Sequence, residues 1–198
     1  MITGIHAETF SNLQLNAGVF LKGFDYSAAT SAASLKSAIV AFITAGTGVM
    51  GATRGGGTFQ CTPTLRNIEA DGLRAAFKGG TVNDGWTVKM TGTLLEITPD
   101  NFKDVLMSAD TATDKANSVT TVTVRTSIKD EDYIPSLCWV GDTSKGFVLI
   151  ELKNALNTTG ANFTFTDKGE GTLPFEFLAH QDDPLEQEEA PCSVLFFN

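Results

Sequence analysis

The chain has 198 residues, 42% of them hydrophobic and 19% charged, with mean hydropathy +0.02. That is enough apolar surface to offset chain entropy in a single domain, and it argues against intrinsic disorder. A net charge of −9 and a pI near 4.6 argue against a protein that grips nucleic acid by neutralising phosphates, which needs clustered Lys and Arg. Much of the acidity is local: Asp182, Asp183, Glu186, Glu188 and Glu189 fall in one stretch at 181–191.

Fourteen Phe, 19 Gly and many Thr favour strands joined by tight turns. After an N-terminal arm at 1–12, residues 13–24 read as a first strand, with Leu13, Leu15, Ala17, Val19 and Leu21 alternating to one side. A long connection at 25–57 follows. Inside it, Leu35, Ala38, Ile39, Phe42 and Ile43 recur at helical spacing, with Ser34 as the expected N-cap and Gly46 as the stop. A second strand is expected at Thr58–Leu65, where Pro63 confines the segment to an edge or a bulge.

A short strand is expected up to Lys78, then a longer one at 86–97 in which Trp86, Val88, Met90 and Leu94 face a core and Thr87, Lys89, Thr91 and Thr93 face water. Thr98-Pro99-Asp100 combines a capping hydroxyl, a first-turn proline and an acid at the positive end of a helix, with Phe102, Val105 and Leu106 as the buried side. A polar loop at 108–118 leads to a Thr/Val strand, SVTTVTVRTSI. Further strands are expected at Tyr133–Val140, Phe147–Leu152, Asn162–Thr166, Leu173–Ala179 and Val194–Phe197. The sum is one mainly-β domain over 1–198, a sandwich or barrel with one or two short helices and a long inter-strand loop.

Few motifs point to covalent chemistry. The glycine run at 51–57 lacks the Gly-Lys-Ser/Thr of a phosphate cradle and leads into a strand, so it reads as a flexible hinge. The two histidines, His6 and His180, stand near no nucleophile-elbow sequence. Cys61, Cys138 and Cys192 are widely spaced with no CxxC, which suits reduced, structural thiols better than a metal site or disulfide framework. The acidic stretch lacks the alternating ligands and central glycine of a calcium loop and reads as a solvated loop. No catalytic residue, cofactor or metal is expected. No apolar run is long enough for a membrane span, and MITGIHAETF lacks a signal-peptide pattern.

The segment Trp139–His180, WVGDTSKGFVLIELKNALNTTGANFTFTDKGEGTLPFEFLAH, resembles the C-terminal half of tail tube proteins from phages and prophages of Gram-positive bacteria. Trp139-Val140-Gly141-Asp142, Leu152-Lys153-Asn154-Ala155-Leu156 and Thr166-Asp167-Lys168-Gly169-Glu170-Gly171 carry that likeness. Gln14–Gly18, Gly51-Ala52-Thr53 and the strand from Trp86 to Gly92 are similar too. The connection at 25–57 is longer and richer in alanine than the family's usual loop, and the acidic stretch after His180 lies outside its pattern.

The resemblance implies a non-enzymatic β-sandwich subunit of the virion tail, assembled in the host cytoplasm into hexameric rings that stack as a conduit for DNA ejection. It implies contacts with other copies of the chain and with tape measure, distal tail and tail terminator proteins, with DNA passing without adhering and no membrane insertion. Within that frame, Leu35, Ile39, Phe42 and Ile43 are expected to form an inter-ring contact, so that deleting 28–50 leaves a folded protein unable to stack. Glu96, Glu151, Glu170 and Glu176 are candidates for an acidic lumen that repels phosphates. Two alternatives stand beside this reading. One is the inner tube of a contractile injection or type VI secretion system. The other is a carbohydrate-binding β-sandwich, for which two Trp and two Tyr supply few exposed rings if Trp86 and Trp139 are core.

Overall fold

The computed structural model describes residues 9, 13–14, 16–29, 31–184 and 188–197. The expected N-terminal arm apart from Thr9, together with His6, Leu15 and Glu186, lies outside the described residues. In chain order the elements are β1 (Val19–Lys22), α1 (Ala32–Ala45), β2 (Thr53–Asn67), β3 (Thr81–Leu94), α2 (Pro99–Val105), β4 (Ala109–Asp114), β5 (Val119–Val124), β6 (Ile134–Asp142), β7 (Phe147–Asn157), β8 (Leu173–Leu178) and β9 (Cys192–Phe197). Strand occupies 45% of the chain, about twice the ordinary share, so the protein is mainly β.

All pairings are antiparallel. Seven strands form one sheet in the order β1-β6-β7-β8-β3-β2, with β9 also alongside β7, while β4 and β5 form a separate ribbon. The corner is β7. Its first part, Phe147–Leu152, pairs with β9, and only Leu156 and Asn157 pair with β8. Asn154, between the two, takes a left-handed φ of 45°, a conformation Asn tolerates better than most residues. The sheet thereby divides into a β1-β6-β7-β9 layer and a β8-β3-β2 layer. Between them lies a core of Phe20, Met90, Leu94, Leu137, Leu152, Phe175 and Phe177, among others.

The outer side of the first layer is covered by α1. Leu35 and Ile39 pack there with Leu21, Phe24, Cys138, Val140, Phe147 and Leu149. Layer β1-β6-β7 is therefore buried on both faces, which is why neighbouring residues such as Phe20 and Leu21 are both inside. The one-sided alternation expected over 13–24 saw half of this arrangement, and only Val19–Lys22 forms the strand.

Both helix starts follow capping chemistry. Ser31, not Ser34, caps α1: the Ser34 amide donates to Ser31 Oγ at 3.2 Å and the Ser31 amide donates to Ser34 Oγ at 3.0 Å. Ala32 and Ala33, strong helix formers, carry the helix one turn earlier than the apolar spacing indicated. Gly46 ends it with φ of 70°, as expected. Thr98 caps α2 by accepting from the Asn101 amide at 3.2 Å. Asp104 on α2 forms an ion pair with Lys22 of β1, and burial raises its carboxyl above the usual range against the pull of that lysine.

Several expectations shift. The glycine run is no hinge: β2 starts at Thr53, and Gly55 and Gly56, with φ of 76° and 73°, lie in a bulge between Thr53 and Gly57. Pro63 lies in β2 as expected of an edge strand, since among the described residues β2 pairs with β3 alone. Residues 73–78 form no strand, and 162–166 contribute only a bridge between Thr164 and Thr172. The polar segment 108–118 contains β4, which its Ala/Thr/Asp composition concealed.

Candidate assembly surfaces

Two long strands build the most exposed part of the molecule. Beyond the β8 register, which ends at Lys89 opposite Leu178, β2 and β3 continue as a two-stranded arm to Asn67 and Thr81. The arm shifts register once, between Thr64 and Leu65, and its end is held by backbone pairing, an Arg66–Asp84 ion pair at 2.9 Å and a Thr81 to Asn67 side-chain hydrogen bond at 2.8 Å. Leu65, Ile68, Leu73, Phe77 and Trp86 stand exposed on the arm and its tip. Trp86 is 42% exposed rather than core, because its strand has left the sandwich by that point. Trp139 does pack against the core, and its indole N–H donates to the Ala17 carbonyl at 2.9 Å.

The outward face of the β8-β3-β2 layer is the second surface. Strand alternation points Phe59, Met90 and Phe177 inward and Thr58, Gln60, Thr62, Lys89, Thr91 and Glu176 outward. These polar groups pair with each other: Thr58 Oγ1 with Thr91 Oγ1 at 2.6 Å, Gln60 Nε2 to Thr62 Oγ1 at 3.0 Å, and Lys89 Nζ to Glu176 Oε2 at 3.1 Å. The result is a hydroxyl-rich face whose lysine and glutamate cancel, with little to hold a phosphate.

The four glutamates expected to line an acidic surface do not act together. Glu151 is buried, accepting from Tyr26 OH at 2.6 Å and from Ser136 Oγ at 2.8 Å, so its carboxylate is an internal anchor and is removed from the lumen candidates. Burial and that carboxylate push the Tyr26 phenol up to about 12. Glu96 is exposed, but its Oε1 accepts the Ala52 amide at 2.8 Å. Glu170 pairs with Arg54, whose hydrogen bond lowers its carboxyl below the usual range. Glu176 alone of the four lies on the polar face, neutralised by Lys89.

The α1 residues separate in the same way. Leu35 and Ile39 are consumed by the chain's own core, Phe42 packs edge-on against Phe24 with ring centres 5.2 Å apart, and Ile43 is exposed beside Val40. Leu35 and Ile39 are thus unavailable to a neighbour in this conformation. Deleting 28–50 removes the cover from Leu21, Phe24 and Leu149, so it cannot serve as the folded control expected from sequence.

His180 is held by packing: its ring meets Tyr133 edge-on, and Nδ1 lies 3.1 Å from the Asn154 carbonyl. Among the described residues no cluster of three His, Cys, Asp or Glu is placed to hold a metal, and no helix is long and apolar enough to cross a membrane. Sequence reading missed the arm as a surface. Its signal was present: β2 and the first half of β3 carry too few apolar residues to bury either strand on both sides. Comparison with protein-family models and with curated proteins returns no match.

Proposed function

We propose that the chain is a phage tail tube subunit that self-assembles into hexameric rings stacked as a DNA conduit. The observation that carries this reading is the β2–β3 arm: a two-stranded extension with five large apolar side chains in solvent, adjoining the edge of a 15-residue strand that is unpaired among the described residues. Apolar groups exposed together mark contact surfaces, and open edges invite pairing. An arm on one side of a subunit meets a different surface on its neighbour, and such head-to-tail contacts close into rings or extend into tubes. The likeness over Trp139–His180 supplies the hexameric geometry and the tape measure, distal tail and terminator partners.

In this reading the threonine-rich face of β8-β3-β2 lines the conduit. Its neutrality, rather than an excess of acid, keeps DNA from adhering, because no uncompensated lysine or arginine of that face binds phosphate. The exposed α1 residues Val40 and Ile43 remain for contact between rings. Sedimentation velocity over a rising concentration series tests the proposal. Discrete ring-sized and larger species are expected; a single monomer boundary at every concentration, even with a tail initiator complex added, contradicts it.

A further inference from the structure

Two exposed apolar surfaces of the chain carry opposite, unpaired charges. The first is a groove of about 370 Å³ between α1 and the first layer, lined by Val19, Val40, Ile43, Val140 and Phe147. Lys36, Val40 and Ile43 also border it, at i, i+4 and i+7, so they share one helix face, and all three are exposed. Lys36 is the only charged residue of α1, and among the described residues no acid pairs with it. The groove's one acid, Asp142, is held by Asn16, whose Nδ2 donates to it at 2.6 Å.

The second surface is the tip of the β2–β3 arm. There Ile68-Glu69-Ala70-Asp71-Gly72-Leu73 interleaves acids with apolar residues, and the Leu73 amide donates to the Ala70 carbonyl at 3.0 Å, turning the chain. Every residue from 68 to 79 is exposed, and among the described residues neither Glu69 nor Asp71 has a cationic partner. Arg74 and Lys78 follow Leu73, so the tip carries both signs of charge, as the groove does. Groove against groove is disfavoured, because two lysines would enter one contact with no acid on either helix.

We propose that the groove beside α1 receives the arm tip of a second copy of this chain, with Leu73 and Phe77 on Val40 and Ile43, and Lys36 paired with Glu69 or Asp71. The inference rests on the tail tube reading and names the surface that the arm meets. Groove and tip are different surfaces, so each copy offers one and receives the other, as a head-to-tail assembly requires. Apolar contact supplies the attraction, and the charges fix how the tip enters.

The test uses the full chain, half of it labelled with heavy nitrogen, mixed before assembly and treated with a zero-length carbodiimide that joins an amine to a carboxylate in contact. Linked peptides joining Lys36 to Glu69 or Asp71, with one ordinary and one heavy partner, are expected. Lys36→Glu should lose assembly in sedimentation, and Glu69→Lys with Asp71→Lys in the same chain should restore it; circular dichroism checks that each variant folds. Assembled wild type without that link, the link only within single chains, links from Lys36 to other acids of the neighbour, or Lys36→Glu assembling like the wild type overturns the docking and leaves the tube reading standing. Wild type that forms no assembly overturns both.

Discussion

Strands β7 and β2 are both long, but eight of the eleven residues of β7 are buried and none of the fifteen of β2 is. The first is held by packing on two faces, against α1 on one side and the opposite layer on the other. The second is held by its ladder with β3 and, among the described residues, leaves its outer edge unpaired. Apolar residues within β7 therefore stabilise the fold, whereas those on the β2–β3 arm stand in solvent and, in the proposed assembly, would meet a neighbour.

The largest expected effect tests the packed side of that contrast. Leu149→Ala, beneath α1, should destabilise the fold by about 2–5 kcal/mol in urea titration, the range for a buried leucine whose site cannot collapse. Asn157→Ala comes next. Its Nδ2 donates to the Val105 carbonyl at 2.6 Å and its Oδ1 accepts from the Glu176 amide at 2.9 Å, joining α2, β7 and β8. Removing it leaves buried backbone groups unpaired, at a cost of about 1–3 kcal/mol in the same titration.

Alkali should loosen the packed region as well. Burial pushes the Cys138 thiol up to about 12 from 9.0, and the Tyr26 phenol up to about 12 from 10.0. The unfolded chain loses these protons first, so their contribution is complete below pH 9 and is lost as pH rises towards 12. Thermal midpoints measured across that window should fall, and Tyr26→Phe combined with Cys138→Ala should flatten the slope. The smallest effect on stability belongs to the arm: Leu73→Ser with Phe77→Ser should change it by no more than about 0.5 kcal/mol. A loss comparable to that of Leu149→Ala would show that these side chains belong to the fold, and the contrast would collapse.

The mainly-β class, the α2 cap at Thr98, the stop at Gly46 and the edge position of Pro63 were legible because each depends on neighbours in sequence. The β7 corner was not, since its division between β8 and β9 is set by partners far along the chain. Alternation also gave no sign that Trp86 lies beyond the sandwich while Val88, two residues on, is inside it. The carboxylates were hardest to read. A glutamate in a strand looks alike whether it meets Tyr26, as Glu151 does, or Lys89, as Glu176 does.

Negative-stain electron microscopy of the concentrated protein, wild type beside the Leu73→Ser/Phe77→Ser variant, tests the central claim most directly. The account predicts rings or hollow tubes from the wild type and dispersed particles from the variant, with both chains folded. Tubes from both would remove the arm from the contact, and their absence from the wild type, even with a tail initiator complex present, would contradict the assembly reading itself.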